Sequence, residues 1–198
     1  ALTAMLVAFG VPAVLMPLSF SSGVLLGGWF GMLAVVAGAV LGSQALMAEV
    51  DLVVLCLPDE AAKEAVALAD ALQADAPKII DASTAHRVAP GWVYGFPEMT
   101  KGHAAKVKAA TRVTNPGCYP TGFLALLAPL IRKGLLPSAW PYTCHAVSGY
   151  SGGGKAFIAR FDDDGDIAFR DYALSMCHKH VPEMQEYAGL KHPPLFAP

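Results

Sequence analysis

The residues from Asp51 to Gln73 read DLVVLCLPDEAAKEAVALADALQ, and this stretch decides the fold. Residues 51–57 form a short continuous apolar run, which is typical of a parallel strand that is buried on both faces. Pro58 and Asp59 then open an Ala-rich amphipathic stretch, and its pattern predicts a helix from Glu60 to Gln73 with Asp59 as the N-cap. A strand followed by a helix predicts an α/β fold.

Two further strand patterns lie downstream, at Lys78–Asp81 and Arg112–Thr114. The first of them ends in the polar segment DASTAHR, residues 81–87. Ligands of α/β sheets usually bind at the carboxyl ends of strands, so this segment is a candidate binding loop. The guanidinium of Arg87 matches a carboxylate or phosphate group and would hold an anionic substrate if the loop faces the site. A solvated surface charge is the alternative for Arg87.

The turn Asn115 to Thr121, NPGCYPT, contains the strongest chemical signal of the chain. Its Pro and Gly residues interrupt helix formation and deliver Cys118 to the start of an apolar helical run from Gly122 to Ile131. Helix N-termini favour the thiolate, which is the nucleophilic form of cysteine. We therefore predict that Cys118 is a nucleophile, whereas Cys56 in its apolar run is expected to be a buried, inert thiol.

Two other segments carry candidate functional groups. The segment Ser148 to Lys155, SGYSGGGK, has the glycine density that lets a backbone approach an anion closely. It is not a Walker motif because Ala156 follows the lysine, and a plain flexible loop is the alternative.

The segment His178 to Glu183, HKHVPE, offers a histidine pair. These side chains could bind a metal or act as a general acid or base, and the second role suits a cysteine nucleophile. A surface pair is the alternative. The four cysteines, at positions 56, 118, 144 and 177, contain no C-x-x-C spacing, so no metal site is predicted.

Composition divides the chain unevenly. The net charge is −2, the isoelectric point is near 6.3 and there is no basic run, which argues against a nucleic-acid-binding protein. Residues 1–48 contain no charged residue and no histidine. Residues 23–47 are long enough and apolar enough for a membrane-spanning helix, so we expect an apolar helical segment here, either transmembrane or artefactual. The sheet that begins near Val50 would then have an uncovered edge.

Together these motifs resemble the N-acetyl-gamma-glutamyl-phosphate reductases, and most closely the shorter bacterial form of that arginine-biosynthesis enzyme. The resemblance covers roughly residues 50–198. It rests on six segments, which are Leu52–Pro58, Ile80–Arg87, Tyr94–Glu98, Asn115–Thr121, Ser148–Lys155 and His178–Glu183.

The resemblance implies a partial Rossmann-like sheet that binds NADP, followed by an α+β catalytic domain like that of the semialdehyde dehydrogenases. Cys118 would attack a small acyl phosphate substrate, hydride from NADPH would reduce the thioester, and His178 or His180 would move a proton. The remaining residues that the resemblance assigns are five for the substrate (Ser83, Arg87, Asn115, Lys155 and Glu183) and four for the cofactor (Ser148, Gly149, Gly152 and Gly153). It also implies a cytoplasmic homo-oligomer if the enzyme is intact.

Two departures from this family lead to alternatives. The family's Gly-x-x-Gly-x-x-Gly turn is not found in residues 1–48, and the family continues beyond the final residue, Pro198. The expected domains are an apolar segment at 1–48, a remnant of the dinucleotide-binding domain at 49–114, and a catalytic domain at 115–198 that is incomplete at its carboxyl end. The alternatives are an inactive, membrane-anchored remnant that no longer binds NADP, and a cysteine hydrolase that uses Cys118 and His180 without hydride transfer.

Overall fold

A computed structural model describes residues 5–9, 32–36, 40–163, 165 and 168–198 of the chain. The chain divides into two units, Ala1–Pro116 and Gly117–Pro198. The first unit alternates strands and helices, and the second is built mainly from helices with one small sheet. The elements of the first unit are β1 (Met5–Phe9), β2 (Met32–Val36), α1 (Val40–Ala48), β3 (Leu52–Cys56), α2 (Asp59–Asp70), β4 (Lys78–Asp81), β5 (Val93–Tyr94), α3 (His103–Ala109) and β6 (Arg112–Thr114).

The strands of the first unit form a parallel sheet in the order β2-β1-β3-β4-β6-β5. The chain passes from β1 to β2 on one side and then to β3 on the other, so the strand order reverses at β1. The carboxyl ends of β1 and β3 are level, with Phe9 opposite Cys56. A reversal of this kind in a doubly wound sheet opens a crevice at the carboxyl ends of the strands.

The predicted apolar helix across residues 23–47 is wrong. Residues 32–36 form a strand, a separate helix begins at Val40, and β1 covers the sheet edge that was expected to be open beside β3. Strands that are covered on both faces are continuously apolar, and an adjoining apolar helix extends the run to the length of a membrane span. No helix in the described part of the chain has the length and apolar character to cross a membrane.

Burial of one helical face holds the first unit together. The buried residues of α2 are Ala62, Ala65, Val66 and Ala69, which follow the spacing of one helical stripe, and they pack with Val53 and Leu55 of β3. The predicted N-cap role of Asp59 is wrong, since Pro58 is the N-cap and no side chain caps the helix. Instead, the Asp59 carboxylate accepts hydrogen bonds from the backbone N–H and the hydroxyl of Thr84.

The second unit contains α4 (Cys118–Arg132), β7 (Thr143–His145), α5 (Lys155–Asp163), α6 (Val181–Ala188) and β8 (Leu195–Ala197). Helix α4 packs against α6, and β7 pairs with β8 in parallel. Val181, Met184 and Phe196 form the buried centre of this unit, with Tyr119 and Phe123 of α4 packed against it. The start of α4 and the start of α6 are therefore fixed against the same core.

Candidate active site

Cys118 is the first residue of α4, as the turn predicted. Gly117 is the N-cap residue, with φ −66° and ψ 151°, and the Cys118 side chain is exposed. Cys118 thus stands at the positive end of the α4 dipole, the end of a helix that attracts negative charge. The prediction that Cys56 is buried is wrong, because it is exposed at the end of β3. Cys56 is the last residue of a strand, whereas Cys118 stands at the start of a helix.

A buried carboxylate fixes the turn in front of Cys118. Glu183, only 1% exposed, accepts a hydrogen bond from the backbone N–H of Gly117 at 3.1 Å. On the other side of the turn, the carbonyl of Gly117 accepts hydrogen bonds from the N–H and the hydroxyl of Thr121. Both polar groups of the Gly117 backbone are thus held. Glu183 was predicted to contact substrate, and its observed contact is with the turn that carries the nucleophile.

The histidine pair lies next to the same turn. His180 is 5% exposed, and its backbone N–H donates to Nδ1 of His178 at 3.1 Å. The two rings are 4.6 Å apart. Because Nδ1 of His178 accepts a hydrogen bond, its neutral ring carries the proton on Nε2. Burial, and secondarily the charge of Lys179, lower the pKa of His178, so the ring is mainly neutral near pH 7.

Tyr119 connects the nucleophile's helix to the histidines. It directly follows Cys118, and its ring centroid lies 6.2 Å from that of His178 and 5.9 Å from that of His180. The same ring makes an edge contact with Phe196 at 4.9 Å. The aromatic packing of Tyr119 therefore places both imidazoles beside the first turn of α4.

The hydroxyl of Tyr119 joins a directional chain of hydrogen bonds. Tyr172 donates to Tyr119 at 3.2 Å, and Tyr119 donates to the hydroxyl of Ser148 at 2.8 Å. Burial is the main cause that raises the pKa of Tyr172, followed by its hydrogen bond with Tyr119 and by repulsion from the charge that Tyr119 or Cys118 carries when ionised. Tyr172 thus remains a protonated donor at neutral pH, at the head of a chain that reaches the glycine-rich loop.

The glycine-rich loop is packed at one position and open at the others. A Cβ on Gly153 would lie 2.6 Å from Cγ of Phe157, a separation that real side chains do not tolerate. At Gly149 and Gly152 the nearest atom would be 3.6 Å away, which is ordinary contact. Lys155 is exposed at the start of α5. Packing against Phe157 explains only one glycine of this loop.

Cys118 opens into a cavity of about 470 Å³ between α4 and β7. Cys144 lies on the opposite wall, and burial raises the pKa of its thiol, so this second sulfur is held as a neutral group. We call this space the thiol cavity. Its lining residues are Cys118, Tyr119, Gly122, Phe123, Leu126, Leu127, Tyr142, Thr143, Cys144, His145 and Ala146.

Three predicted substrate residues, Ser83, Arg87 and Asn115, belong to the first unit, and two of them form hydrogen bonds with Asp81 at the end of β4. Ser83 donates its N–H and its hydroxyl to the two oxygens of the buried Asp81 carboxylate, at 2.9 and 2.7 Å. The backbone N–H of Asn115 donates to the Asp81 carbonyl at 2.7 Å. Arg87 is 7% exposed and donates to the carbonyl of Ala82, so it is not a solvated surface charge.

The Asp81 cluster includes two residues that the sequence did not single out as functional. Nδ1 of His86 is 2.6 Å from an Asp81 oxygen, and the His86 ring stacks on Trp92 with centroids 4.3 Å apart. In the second unit, Tyr119 and Tyr172 were missed in the same way. Tyr119 could have been found from its place beside Cys118, but the bond from Tyr172 to Tyr119 spans 53 positions and leaves no local signal. The described residues include no group of three or more side chains suited to a metal ion.

Comparisons with known proteins agree with this division of the chain. A family model described as the semialdehyde dehydrogenase NAD-binding domain matches residues 30–107. A second model, the semialdehyde dehydrogenase dimerisation domain, matches residues 118–198 and begins at the cysteine itself. Both models come from the same family, and together they account for most of the chain.

Curated relatives are similar over about three quarters of the chain. An N-acetyl-gamma-glutamyl-phosphate reductase 2 of Nostoc sp. is 53% identical over 161 residues, covering 77% of this chain and 49% of the relative. An N-acetyl-gamma-glutamyl-phosphate reductase of Burkholderia cenocepacia is 54% identical over 153 residues, covering 75% and 48%. The chain therefore spans about half the length of the curated relatives it matches.

Solved structures support the fold. An aspartate semialdehyde dehydrogenase II of Vibrio cholerae, in a complex with ASA, matches 100% of this chain and 70% of its own with a TM-score of 0.60 and 14% identity. An aspartate semialdehyde dehydrogenase of Francisella tularensis matches 77% and 54% with a TM-score of 0.51 and 12% identity. At such identities the similarity is one of fold.

Proposed function

The chain belongs to the semialdehyde dehydrogenase family, and from this premise we propose that it reduces N-acetyl-gamma-glutamyl phosphate to N-acetylglutamate semialdehyde with NADPH. Curated relatives at 53–54% identity carry the name of that reductase, which supports the choice of substrate. The observation that carries the proposal is the exposed Cys118 at a helix start, with two histidines packed around the neighbouring Tyr119.

In this proposal the sulfur of Cys118 forms a bond to the acyl carbon, and the bond from that carbon to the phosphate oxygen breaks. Phosphate leaves with the electron pair, and a thioester remains on the enzyme. NADPH, when bound, supplies the hydride that reduces the thioester carbonyl. Collapse of the resulting hemithioacetal returns the sulfur of Cys118 as a thiolate and releases the semialdehyde.

The histidine pair serves proton transfer in this scheme. The Nε2–H of neutral His178 is a donor. The centroid of the His180 ring lies 4.6 Å from that of His178, and both rings contact Tyr119. One of these rings protonates the oxygen of the tetrahedral intermediate and returns the proton when the carbonyl reforms. Glu183 acts on the nucleophile through Gly117 by holding the turn.

The strand order of the first unit supports a role in binding the dinucleotide cofactor. Its strand order reverses at β1, and doubly wound sheets bind dinucleotides at such a reversal. We assign the cofactor domain to this unit and the catalytic domain to the second, with Arg87, Ser83 and Asn115 as candidates for substrate anions. In the second unit, Lys155 is a further anion candidate, and Ser148, Gly149, Gly152 and Gly153 are candidates for contact with the nicotinamide.

The assembly and location that we propose follow from the same family. The match to a dimerisation domain supports a homo-oligomer. The names of the curated relatives support a small-molecule substrate. A cytoplasmic location suits four free cysteines and a need for NADPH.

NADPH consumption tests the proposal. The protein is mixed with N-acetyl-gamma-glutamyl phosphate, and the loss of nicotinamide absorbance is followed with the wild type and with Cys118→Ser as the control. We expect substrate-dependent oxidation of NADPH that the substitution abolishes. Release of phosphate without NADPH oxidation would identify a cysteine hydrolase instead, and the absence of both would identify an inactive remnant.

A further inference from the structure

A second cavity in the catalytic unit lies beside the thiol cavity, and three of the candidates for nicotinamide contact, Ser148, Gly149 and Gly153, line part of it. Its volume is about 220 Å³, smaller than the roughly 300–1,000 Å³ of sites for drug-sized ligands, so it suits a compact metabolite. We call it the aromatic cavity. Its lining residues are Tyr119, Ala146, Val147, Ser148, Gly149, Tyr150, Gly153, Phe157, Phe161, Ala168, Phe169, Arg170, Tyr172 and Pro198.

The walls of the aromatic cavity are held by ring contacts. Tyr150 stacks on Phe161 with centroids 5.1 Å apart, and Phe157 meets Tyr172 edge-on at 5.4 Å. Gly153 is fixed against Phe157, where a Cβ would not fit. Such walls suit the apolar and amide parts of a ligand, because they are flat and offer few competing polar atoms.

The polar groups of the aromatic cavity suit a negative charge. Among the described residues that line it, Arg170 is the cation and none is acidic. Arg170 forms no ion pair with any carboxylate in the described part of the chain. A guanidinium binds a carboxylate through two parallel hydrogen bonds, which is the geometry by which Arg170 would hold an anionic ligand of this cavity.

The hydroxyl chain ends at Ser148, which lines the same cavity. Tyr172 donates to Tyr119 and Tyr119 donates to Ser148, so the proton of Ser148 is the last of the chain. The Ser148 hydroxyl donates to the carbonyl of Gly149 with 3.4 Å between the two oxygens, a long contact that a better acceptor can replace. Each bond of such a chain polarises the next, which strengthens the final donor.

We propose that Arg170 and Ser148 bind the carboxylate of an N-acylated amino acid, whose acyl group packs against the aromatic walls. The inference rests on the proposed function, which requires a substrate with a second anionic end. Tyr119 and Ala146 line both cavities, so a ligand anchored in the aromatic cavity lies next to the space that contains Cys118. Arg170 is thereby a specificity residue that selects acyl phosphates bearing a free carboxylate.

Calorimetric titration with N-acetylglutamate tests this site without any turnover. Arg170→Gln should weaken binding by about tenfold or more, since it removes a charge-assisted pair. Ser148→Ala should weaken binding less, and Arg170→Lys should restore part of the affinity. Arg160→Gln is the matched control, because Arg160 is an exposed arginine of α5 that lines neither cavity, and it should bind as the wild type does.

The α-methyl ester of N-acetylglutamate, in which the carboxylate is blocked, gives a second test. The wild type should bind the ester about tenfold more weakly than the acid, whereas Arg170→Gln should bind both alike. The assignment would be overturned if the wild type bound the acid and the ester with equal affinity, or did not bind the acid at all. Equal affinity of Arg170→Gln and the control Arg160→Gln for the acid would overturn it too. NADPH oxidation by the wild type is measured separately, so binding that is retained without reductase activity would refute the proposed function and leave the carboxylate site standing.

Discussion

The carboxylate of Glu183 accepts the backbone N–H of Gly117 at 3.1 Å, one residue before the candidate nucleophile. Both residues are buried, and they are 66 positions apart in the sequence. This bond ties the first turn of α6 to the first turn of α4, and it fixes where the helix that presents Cys118 begins. Stability and reactivity at the site therefore depend on a residue that need not touch substrate.

Replacing Glu183 by Ala should destabilise the protein. The N–H of Gly117 would lose its acceptor while remaining buried, and an unsatisfied buried donor costs about 1–3 kcal/mol. Denaturant unfolding measures the free energy, with Glu186→Ala as the control because Glu186 is an exposed carboxylate of the same helix. Equal losses in the two variants would show that the bond to Gly117 contributes nothing special.

Cys118 should react with iodoacetamide faster than the two other exposed thiols, Cys56 and Cys177. All three are accessible, but only Cys118 stands at the first position of a helix, where the positive end of the dipole attracts the negative charge that develops as the sulfur reacts. Peptide mapping after timed alkylation gives the three rates. Comparable labelling of Cys118 and Cys56 would remove the case for an activated thiol.

Gly153→Ala should destabilise the second unit, since the new methyl group would meet the Phe157 ring at 2.6 Å. Overpacking of this kind costs about 1–3 kcal/mol. Gly152→Ala is the matched control, because its methyl group would meet no atom closer than 3.6 Å. Thermal unfolding of the two variants measures the difference. Equal melting temperatures would show that the contact with Phe157 is not responsible.

His178 should make the protein less stable as the pH falls below neutrality. Its pKa is lowered in the folded state, so the unfolded chain binds the proton first and the free energy of unfolding decreases from about pH 7 toward pH 5. His178→Gln should flatten this part of the profile, because the group with the lowered pKa is then absent. An identical slope in His178→Gln and the wild type would contradict the assignment.

Local patterns predicted much of the α/β framework. The strands at 78–81 and 112–114 have the predicted bounds, and α4 begins at the predicted cysteine, because short apolar runs and Pro-Gly turns are encoded by neighbouring residues. The N-terminal prediction was wrong for the same reason. A run of apolar residues looks the same in sequence whether protein or lipid covers it. The pairing of β1 with β3, which joins distant residues, distinguishes a buried strand from a membrane span.

The contacts around the cysteine could not be predicted, because they join distant residues. The partner of Tyr119 at Ser148 is 29 positions away, and that of Gly117 at Glu183 is 66 positions away. Asp59 shows the same limit in the first unit. Its place before the predicted helix indicated a cap, but folding brings Thr84 within reach, and the Asp59 carboxylate accepts hydrogen bonds from Thr84 instead.

The most direct test of the central claim is the intact mass of the protein after mixing with N-acetyl-gamma-glutamyl phosphate in the absence of NADPH. Without a hydride source the thioester should accumulate, so we predict a mass increase of one N-acetylglutamyl group, located on the peptide that contains Cys118. The adduct should disappear on addition of NADPH and should not form in Cys118→Ala. An unchanged mass in the wild type, or the same adduct in the alanine variant, would contradict the account.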